Sequence, residues 1–265
     1  MTHHFLKIAT WNINSVRARL PLLLAWLQQH KPDVLMLQEI KCEHAVFPFL
    51  EIEAMGYTAL VHGQKSYNGV AILSTHPIQE KSRSLISEDN EPARFLCAEI
   101  EGVDCMNIYA PNGNPRMDDA GLTEKFRYKL RWYAALVADV QQRLSQHRAV
   151  VLAGDYNIIP EAVDAANAAA WEGDALYVPE VRKQWRHLMN LGLYDAWRTL
   201  HGTQQAYTFW DYQAGAFQRD DGIRIDHFLL TPSLADRLEN CTIHREMRAK
   251  EKASDHVPVM ISLGA

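Results

Sequence analysis

Eight polar residues stand at or near the ends of apolar runs that read as strands: Asn12, Glu39, Tyr109, Asp155, Asn157, Asp226, Asp255 and His256. Carboxylates and carboxamides are the oxygen donors that hard divalent cations take, and histidine is the common proton carrier near neutral pH. Singly, each has a plain explanation. A carboxylate after an apolar strand is usually the first exposed residue. Tyr109 can be an ordinary strand aromatic, and Asp255-His256 a hydrogen-bonded loop pair. Strand ends at one edge of a sheet converge, however, so residues scattered over the chain can share one cleft. The weight lies in the set.

The elements that must position this set follow from the apolar pattern. Residues 8–14 alternate and then stop at polar residues, as a strand does before a loop. Residues 17–30 have helical apolar spacing and end before Pro32. Residues 33–39 form a nearly continuous apolar run, typical of a strand buried on both faces. Further strands are expected at 57–62, 69–74, 94–100 and 104–109, and the longest helix at 122–145. A second buried strand follows at 149–157, then a helix at 181–191 and strands at 223–230, 241–246 and 257–262. Helices punctuate many strands without strict βαβ alternation. That predicts a four-layer α/β sandwich, two packed mixed β-sheets flanked by helices.

Composition bounds the rest. The chain has 265 residues, 48% hydrophobic and 22% charged, which are values of a soluble globular protein with a large core. No linker, low-complexity tract or repeat interrupts it, so one domain over residues 1–265 is expected. The start, Met1 to Lys7, lacks a signal pattern, and the strongest apolar stretch, from Leu20 to Leu27, is too short to span a bilayer. A cytoplasmic protein is expected, with no membrane association. Cys42, Cys97, Cys105 and Cys241 form no Cys-x-x-Cys pair, which argues against a zinc site or redox dithiol and for reduced thiols. Net charge is −5, at first sight unfavourable to a nucleic-acid partner. Its distribution is uneven: residues 150–181 hold six acids and no Lys or Arg, whereas residues 116–148 hold seven bases against four acids. In that basic stretch Lys125/Lys129 and Arg127/Arg131 are i,i+4 pairs that would stack on a helix face.

The motifs carry a resemblance. Trp11-Asn12-Ile13-Asn14, Leu37-Gln38-Glu39, Tyr109-Ala110-Pro111-Asn112 and Gly154-Asp155-Tyr156-Asn157 resemble, in order, motifs of the exonuclease III family of abasic-site endonucleases. So do Tyr207-Thr208-Phe209-Trp210-Asp211-Tyr212, Arg224-Ile225-Asp226 and Ser254-Asp255-His256-Val257-Pro258. The resemblance covers residues 7–262 and implies a DNase I-like fold. Ser-Asp-His followed by Pro also occurs in the wider superfamily of DNase I-like nucleases, inositol-polyphosphate phosphatases and sphingomyelinases. The Tyr-Thr-Phe-Trp segment is similar to the DNA-repair branch.

The family reading implies a Mg²⁺-dependent phosphodiesterase, with Mn²⁺ as a substitute, that cuts 5′ to abasic sites in double-stranded DNA and trims blocked 3′ ends. It further implies 3′→5′ exonuclease and 3′-phosphatase activity, a monomer, and no obligate protein partner. Glu39 is then the principal metal ligand, with Asn12 beside it and Asp155, Asn157, Asp255 and His256 around the ion. Asp226 orients His256, Asp155 is the preferred water-orienting base, and Asn157 and Tyr109 face the phosphate. Whether Asp155 or His256 takes the water proton, and whether one metal or two act, stays open. Asn14 stands where related enzymes commonly have Asp, which weakens any second acidic ligand there. Phe209, Trp210, Ile223 and Ile225 are the candidate pocket for a flipped-out abasic sugar, against the alternative that Phe209 and Trp210 are core aromatics. Asn112, Asn114 and Arg116 are candidate phosphate contacts, against that of a polar turn. Two rival functions remain, a phosphatase of inositol phosphates or phospholipid and a catalytically inert binding module. The first needs a basic pocket, and no such cluster lies near the motifs in sequence. The intact acidic and histidine set opposes the second.

Overall fold

The two apolar runs expected to be buried on both faces become central strands of two six-stranded sheets. The computed structural model describes residues 6–86, 88 and 91–264. The leader reading rests largely on residues 1–5, which lie outside that range.

The strands are β1 (Leu6–Asn12), β2 (Val34–Gln38), β3 (Thr58–His62), β4 (Val70–Ser74), β5 (Gln79–Ser82), β6 (Phe95–Ile100) and β7 (Val103–Tyr109). A small hairpin follows, β8 (Met117–Asp118) with β9 (Gly121–Leu122), then β10 (Ala149–Asp155), β11 (Tyr194–Asp195), β12 (Asp226–Leu230), β13 (Leu238–Ile243) and β14 (Val259–Leu263). The helices are α1 (Leu20–His30), α2 (Phe49–Ala54), α3 (Glu124–Ser145), α4 (Pro179–Asn190), α5 (Ala196–His201) and α6 (Pro232–Ala235). One sheet runs β13-β14-β1-β2-β4-β3, the other β11-β12-β10-β7-β6-β5. Each is mixed, with a single parallel pair at its centre, β1–β2 in the first and β7–β10 in the second.

Side-chain alternation makes the layers. Along β2, Val34 and Met36 point into the core between the sheets, with Ile8, Ile72, Val151 and Phe228, while Leu35 and Leu37 pack outward against Leu23, Trp26 and Leu27 of α1. On the other side Met106, Ile108, Val150 and Leu152 face Phe126, Trp132 and Leu136 of α3 and Trp185 of α4. Each such side chain taken fully out of water is worth about 1.5–3 kcal/mol, so burial on both faces of both sheets holds the sandwich. Near one end, polar groups join the sheets: Gln38 Nε2 donates to Thr10 Oγ1 at 2.9 Å and Asn107 Oδ1 at 2.7 Å, and Asn107 Nδ2 donates to the carbonyl oxygens of Leu37 and Ala71.

Several boundaries move, each for a local reason. β1 stops at Asn12 because Asn14 and Ser15 take positive φ, 46° and 85°. α1 begins at Leu20 rather than Arg17, with Pro21 in its first turn. Thr123 caps α3 by accepting the Phe126 amide at 3.2 Å, so the helix starts at Glu124. The strand expected at 223–230 begins only at Asp226, because Ile223 pairs with Phe209 and Ile225 accepts the Tyr156 amide instead. β13 ends at Ile243, and residues 245–249 form a 3₁₀ turn. All four cysteines are free and buried. Among the described residues no helix is long and apolar enough to cross a membrane.

Candidate active site

Register alone places much of the site. In the second sheet Asp155 lies opposite Tyr109 on one side and Asp226 on the other, so three of the eight residues form a row across β7, β10 and β12. In the first sheet Asn12 lies opposite Gln38, one residue before Glu39. Gly154 permits the row: at φ 145°, a Cβ there would come within 1.9 Å of the Ile108 carbonyl oxygen on β7. Glu39 and Asn157 adopt left-handed φ of 50° and 47°, which turns each chain sharply just past its strand. Such backbone is rare outside Gly, Asn and Asp, and in folded proteins it concentrates at functional sites.

Side chains join the two sheets. Asn12 Nδ2 donates to Glu39 Oε1 at 2.9 Å and to Asp155 Oδ2 at 3.0 Å. His256 Nδ1 lies 2.8 Å from Asp226 Oδ2, and its Nε2 points toward Asp155 Oδ2 at 3.8 Å. Asn157 is locked by its amide to Asp155 Oδ1 at 2.9 Å and by its Nδ2 to the Ala110 carbonyl at 2.9 Å. Asp255 accepts from Asn14 Nδ2 at 3.0 Å, and Lys41 Nζ reaches both Asn14 Oδ1 at 2.6 Å and Glu39 Oε2 at 2.9 Å.

Burial and charge set the protonation states. Burial pushes Asp155 up, to about 7, with Asp226 and Glu39 adding to it and His256 opposing. Burial alone would lower His256, but Asp226 and Asp155 outweigh it and raise it to about 10. The imidazole is therefore held charged. Burial and the neighbouring Glu39 raise the Tyr109 phenol, which stays neutral. For Glu39 burial acts upward, yet hydrogen bonds from Asn12 and Lys41 prevail and hold it below the ordinary glutamate value.

This donor set suits a hard divalent cation. It is oxygen-rich, and burial, with smaller contributions from the Asp226 and Glu39 carboxylates, raises Asp155. Glu39, Asp155, Asp255 and His256 do not close into a tight shell among the described residues. Among the described residues the compact His/carboxylate group lies elsewhere, at His30, His244 and Glu246, where Trp26, stacked on His30 and edge-on to His244, and a 3.2 Å His244–Glu246 contact account for it. An open arrangement fits Mg²⁺, which binds through one or two carboxylates and keeps several waters.

Three residues that stand in the motifs but were given no role there are positioning groups. Thr208 Oγ1 accepts the amides of Ile225 and Asp226, both at 3.1 Å. Ser254 Oγ donates to the Asn12 carbonyl at 2.7 Å and accepts the His256 amide. Arg224 is buried and grips Asp164 at 2.7 Å and Asp195 at 2.8 Å, fixing the segment before Asp226.

Lys129 corrects an expectation. It is not a rung on an exposed basic face of α3 but fully buried, donating to the carbonyls of Asn112, Asn157 and Ala175 at 2.9, 2.7 and 2.9 Å. Its stem passes Gly113, where a Cβ would meet Lys129 Cδ at 2.7 Å. Burial pushes its pKa down to about 7 while Asp155 and Asp174 oppose this. Three acceptors match the three protons of an ammonium and favour the charged form. Lys129→Met leaves those carbonyls without a donor and is expected to cost about 1–3 kcal/mol for each one that stays out of water. Urea unfolding measures it, and a loss below about 1 kcal/mol would show that the three loops hold themselves.

The other candidates separate. Phe209 and Ile223 line a cavity of about 350 Å³ together with Trp171, which the sequence reading missed, and Asp174, Asp211 and Asp221. Ile225 packs behind them. The Phe209 ring sits 4.9 Å from that of His256, so cavity and row adjoin. Trp210 does not line it: the indole is fully buried in the α1-side core, with Nε1 on Asp220 Oδ1 at 3.1 Å, and core packing explains this residue. Asn114 is likewise a turn residue, its amide nitrogen on both Asp174 oxygens at 3.1 Å and its oxygen accepting the Ala175 amide. Asn112 is exposed and touches Asn157 Oδ1 at 3.3 Å, while Arg116 reaches Glu180 at 3.4 Å.

Two sheets whose facing ends carry this row define a class, and residues 9–256 match it: the chain belongs to the Endonuclease/Exonuclease/phosphatase family, in the exonuclease III branch that its motifs resemble. It is 33% identical to exodeoxyribonuclease III of Haemophilus influenzae, over 96% of this chain and 98% of that one. Among solved structures it is similar to an AP endonuclease from Archaeoglobus fulgidus, at 36% identity and a TM-score of 0.91, covering 97% of this chain and 99% of that one. It is also similar to a 3′ phosphatase from Neisseria bound to a product DNA hairpin, at 37% identity and a TM-score of 0.92, with the same coverage.

Proposed function

We propose that the protein is a divalent-metal-dependent DNA-repair phosphodiesterase. It cuts double-stranded DNA 5′ to abasic sites and clears blocked 3′ ends, with 3′→5′ exonuclease and 3′-phosphatase activity at the same centre. The observation that carries this reading is the Asp226–His256–Asp155 arrangement set beside the Asn12–Glu39 pair. One catalytic domain spans the chain, acting in the cytoplasm as a monomer without an obligate protein partner.

Glu39 would hold Mg²⁺, or Mn²⁺ in its place, with Asn12, Asp155, Asn157 and Asp255 around it, directly or through water. His256, expected in that set, is charged and has no lone pair for a cation, so it leaves the set. When bound, the ion supplies positive charge against the phosphate oxygens. Asp155 orients the attacking water and takes its proton, since a carboxylate whose pKa lies near the working pH suits a general base. His256, charged and pinned by Asp226, has no lone pair to accept a proton and donates instead to a phosphate oxygen. Asn157 and the neutral Tyr109 phenol face the same group. The apolar wall of Phe209, Ile223 and Trp171, with Asp174, Asp211 and the Arg219–Asp221 pair around it, admits a neutral sugar. A nucleotide without its base is cheap to extrude into it.

Cleavage of an oligonucleotide duplex with one abasic site, with chelator and with Mg²⁺ restored, tests the proposal. Hydrolysis of inositol phosphates instead, or no hydrolysis at all, would favour a rival. The pocket makes its own prediction. Phe209→Ala removes contacts to the extruded sugar. Aromatic stacking on a nucleotide is worth about 1–3 kcal/mol, toward the lower end for a bare sugar, so kcat/KM on the abasic duplex falls roughly tenfold. Removal of a 3′-phosphate suffers less. Equal losses on both substrates at one salt concentration would mean that Phe209 serves the common centre.

A further inference from the structure

Folding assembles a basic surface that no single motif announces. Two adjoining depressions of about 580 and 400 Å³ share Tyr212, Arg248 and Lys250, and the second adds Arg19 and Lys252. Arg19, Arg248, Lys250 and Lys252 make no ion pair among the described residues, unlike Arg219 and Arg245 nearby, which pair with Asp221 and Asp220. Instead Arg19 donates to backbone carbonyls of Asn14 and Lys252 and to the Tyr212 hydroxyl, and Arg248 to the Trp210 carbonyl at 3.3 Å. Carbonyl acceptors fix a guanidinium without cancelling its charge, so the field of these cations stays open to solvent. The two lysines are exposed.

The surface also joins the active site. Tyr212 Oη accepts from Asn14 Nδ2 at 3.3 Å, and the same amide donates to Asp255 Oδ1 at 3.0 Å. The chain from Phe209 to Tyr212 separates it from the acidic, apolar cavity on the other side. Asp211 lines both sides of that border; beyond it the cavity holds Asp174 and the Arg219–Asp221 pair, whereas the four cations on the near side have no carboxylate partner among the described residues.

We infer that Arg19, Arg248, Lys250 and Lys252 form a track for the phosphates of duplex DNA on one flank of the scissile bond, on the Asn14 side of the site. This rests on the nuclease reading and extends the substrate beyond the cleaved nucleotide. The partner is a phosphodiester backbone read by charge, so the track adds affinity without sequence preference.

The test is binding of an abasic duplex in chelator, followed by fluorescence anisotropy at several KCl concentrations. Each phosphate contact contributes about 0.9 to the slope of log affinity against log salt. Lys250→Gln with Lys252→Gln, which removes no hydrogen bond of the fold, is expected to reduce the slope by about 1.8. The affinity lost between 50 and 200 mM KCl then shrinks about tenfold relative to the unaltered protein. Adding Arg248→Gln reduces the slope further. Lys31→Gln with Lys183→Gln, the same charge change at exposed positions away from the track, leaves it in place. Shortening the duplex on one flank of the abasic site erases the difference between unaltered and double-variant protein, and shortening the other flank does not. Equal slopes for track and control variants, or equal sensitivity to both flanks, would overturn the track while leaving the nuclease reading standing. Absence of salt-dependent duplex binding by the unaltered protein would overturn both.

Discussion

Replacing His256 or Asp226 by Asn lowers kcat on an abasic duplex by about 10²–10⁴, the range for positioned proton-transfer groups, and the double variant loses scarcely more than either single one. The 2.8 Å contact between His256 Nδ1 and Asp226 Oδ2 makes the two a unit: Asp226 fixes the ring and keeps it charged, and His256 delivers that charge. Without Asp226, burial reasserts itself and the His256 pKa falls from about 10. Activity of Asp226→Asn is then expected to decline as pH rises through the lowered value, across a range where the unaltered enzyme keeps its imidazolium. The stability of the pair has a matching sign. A histidine raised from 6.5 contributes stability that is fully present below about 6.5 and lost as pH rises through about 10. Imidazole titration by NMR in the metal-free protein reads the shift independently of turnover. Multiplicative losses in the double variant, or an unmoved His256 titration in Asp226→Asn, would show that Asp226 does not orient the ring.

Legibility in the sequence followed the length scale of the forces involved. Continuous apolar runs such as Val34–Leu37 and Val150–Ala153 announce strands because both faces must be buried, and the layered sandwich follows from their number. The edge strand β5, Gln79–Ser82, is polar and half in solvent, so no pattern marks it. Site residues stood out where a carboxylate or amide interrupts an apolar run, as Glu39 and Asp155 do. Groups that act through distant partners did not. Lys129 lies on a helix whose spacing suits a solvated face, and only the carbonyls of residues 112, 157 and 175 reveal its place inside. Trp210 and Phe209 are adjacent and of like chemistry, yet opposite side-chain directions send one to the core and the other to the cavity. Trp171 sits in an acidic stretch that matched no motif. The basic surface needed Arg19 beside residues 248–252, a proximity that sequence separation conceals; it also qualifies the statement that no basic cluster lies near the motifs.

Glu39→Ala is expected to lose about 10³-fold or more in kcat/KM at low Mg²⁺ while keeping its fold. Charge stabilisation by a bound ion is worth several kcal/mol in such transition states, and about 1.4 kcal/mol is a factor of ten. Glu39 is the carboxylate that the surroundings keep ionised: hydrogen bonds from Asn12 at 2.9 Å and Lys41 at 2.9 Å outweigh its burial, so it is ready for a cation without first losing a proton. Asp155 is raised and paired with His256, which makes it the poorer anchor in the same cleft. Chelator should therefore abolish cleavage by the unaltered enzyme, and added Mg²⁺ or Mn²⁺ should restore it. A second measurement separates metal binding from chemistry. A ligand bound only to the folded state at about 100 times its Kd stabilises it by about 2.7 kcal/mol, so Mg²⁺ should raise the melting temperature of the unaltered protein. Glu39→Ala should lose most of that rise, whereas His256→Asn should keep most of it. An unaltered Mg²⁺-dependent rise in Glu39→Ala, or its full activity at low Mg²⁺, would place the anchor elsewhere in the cleft.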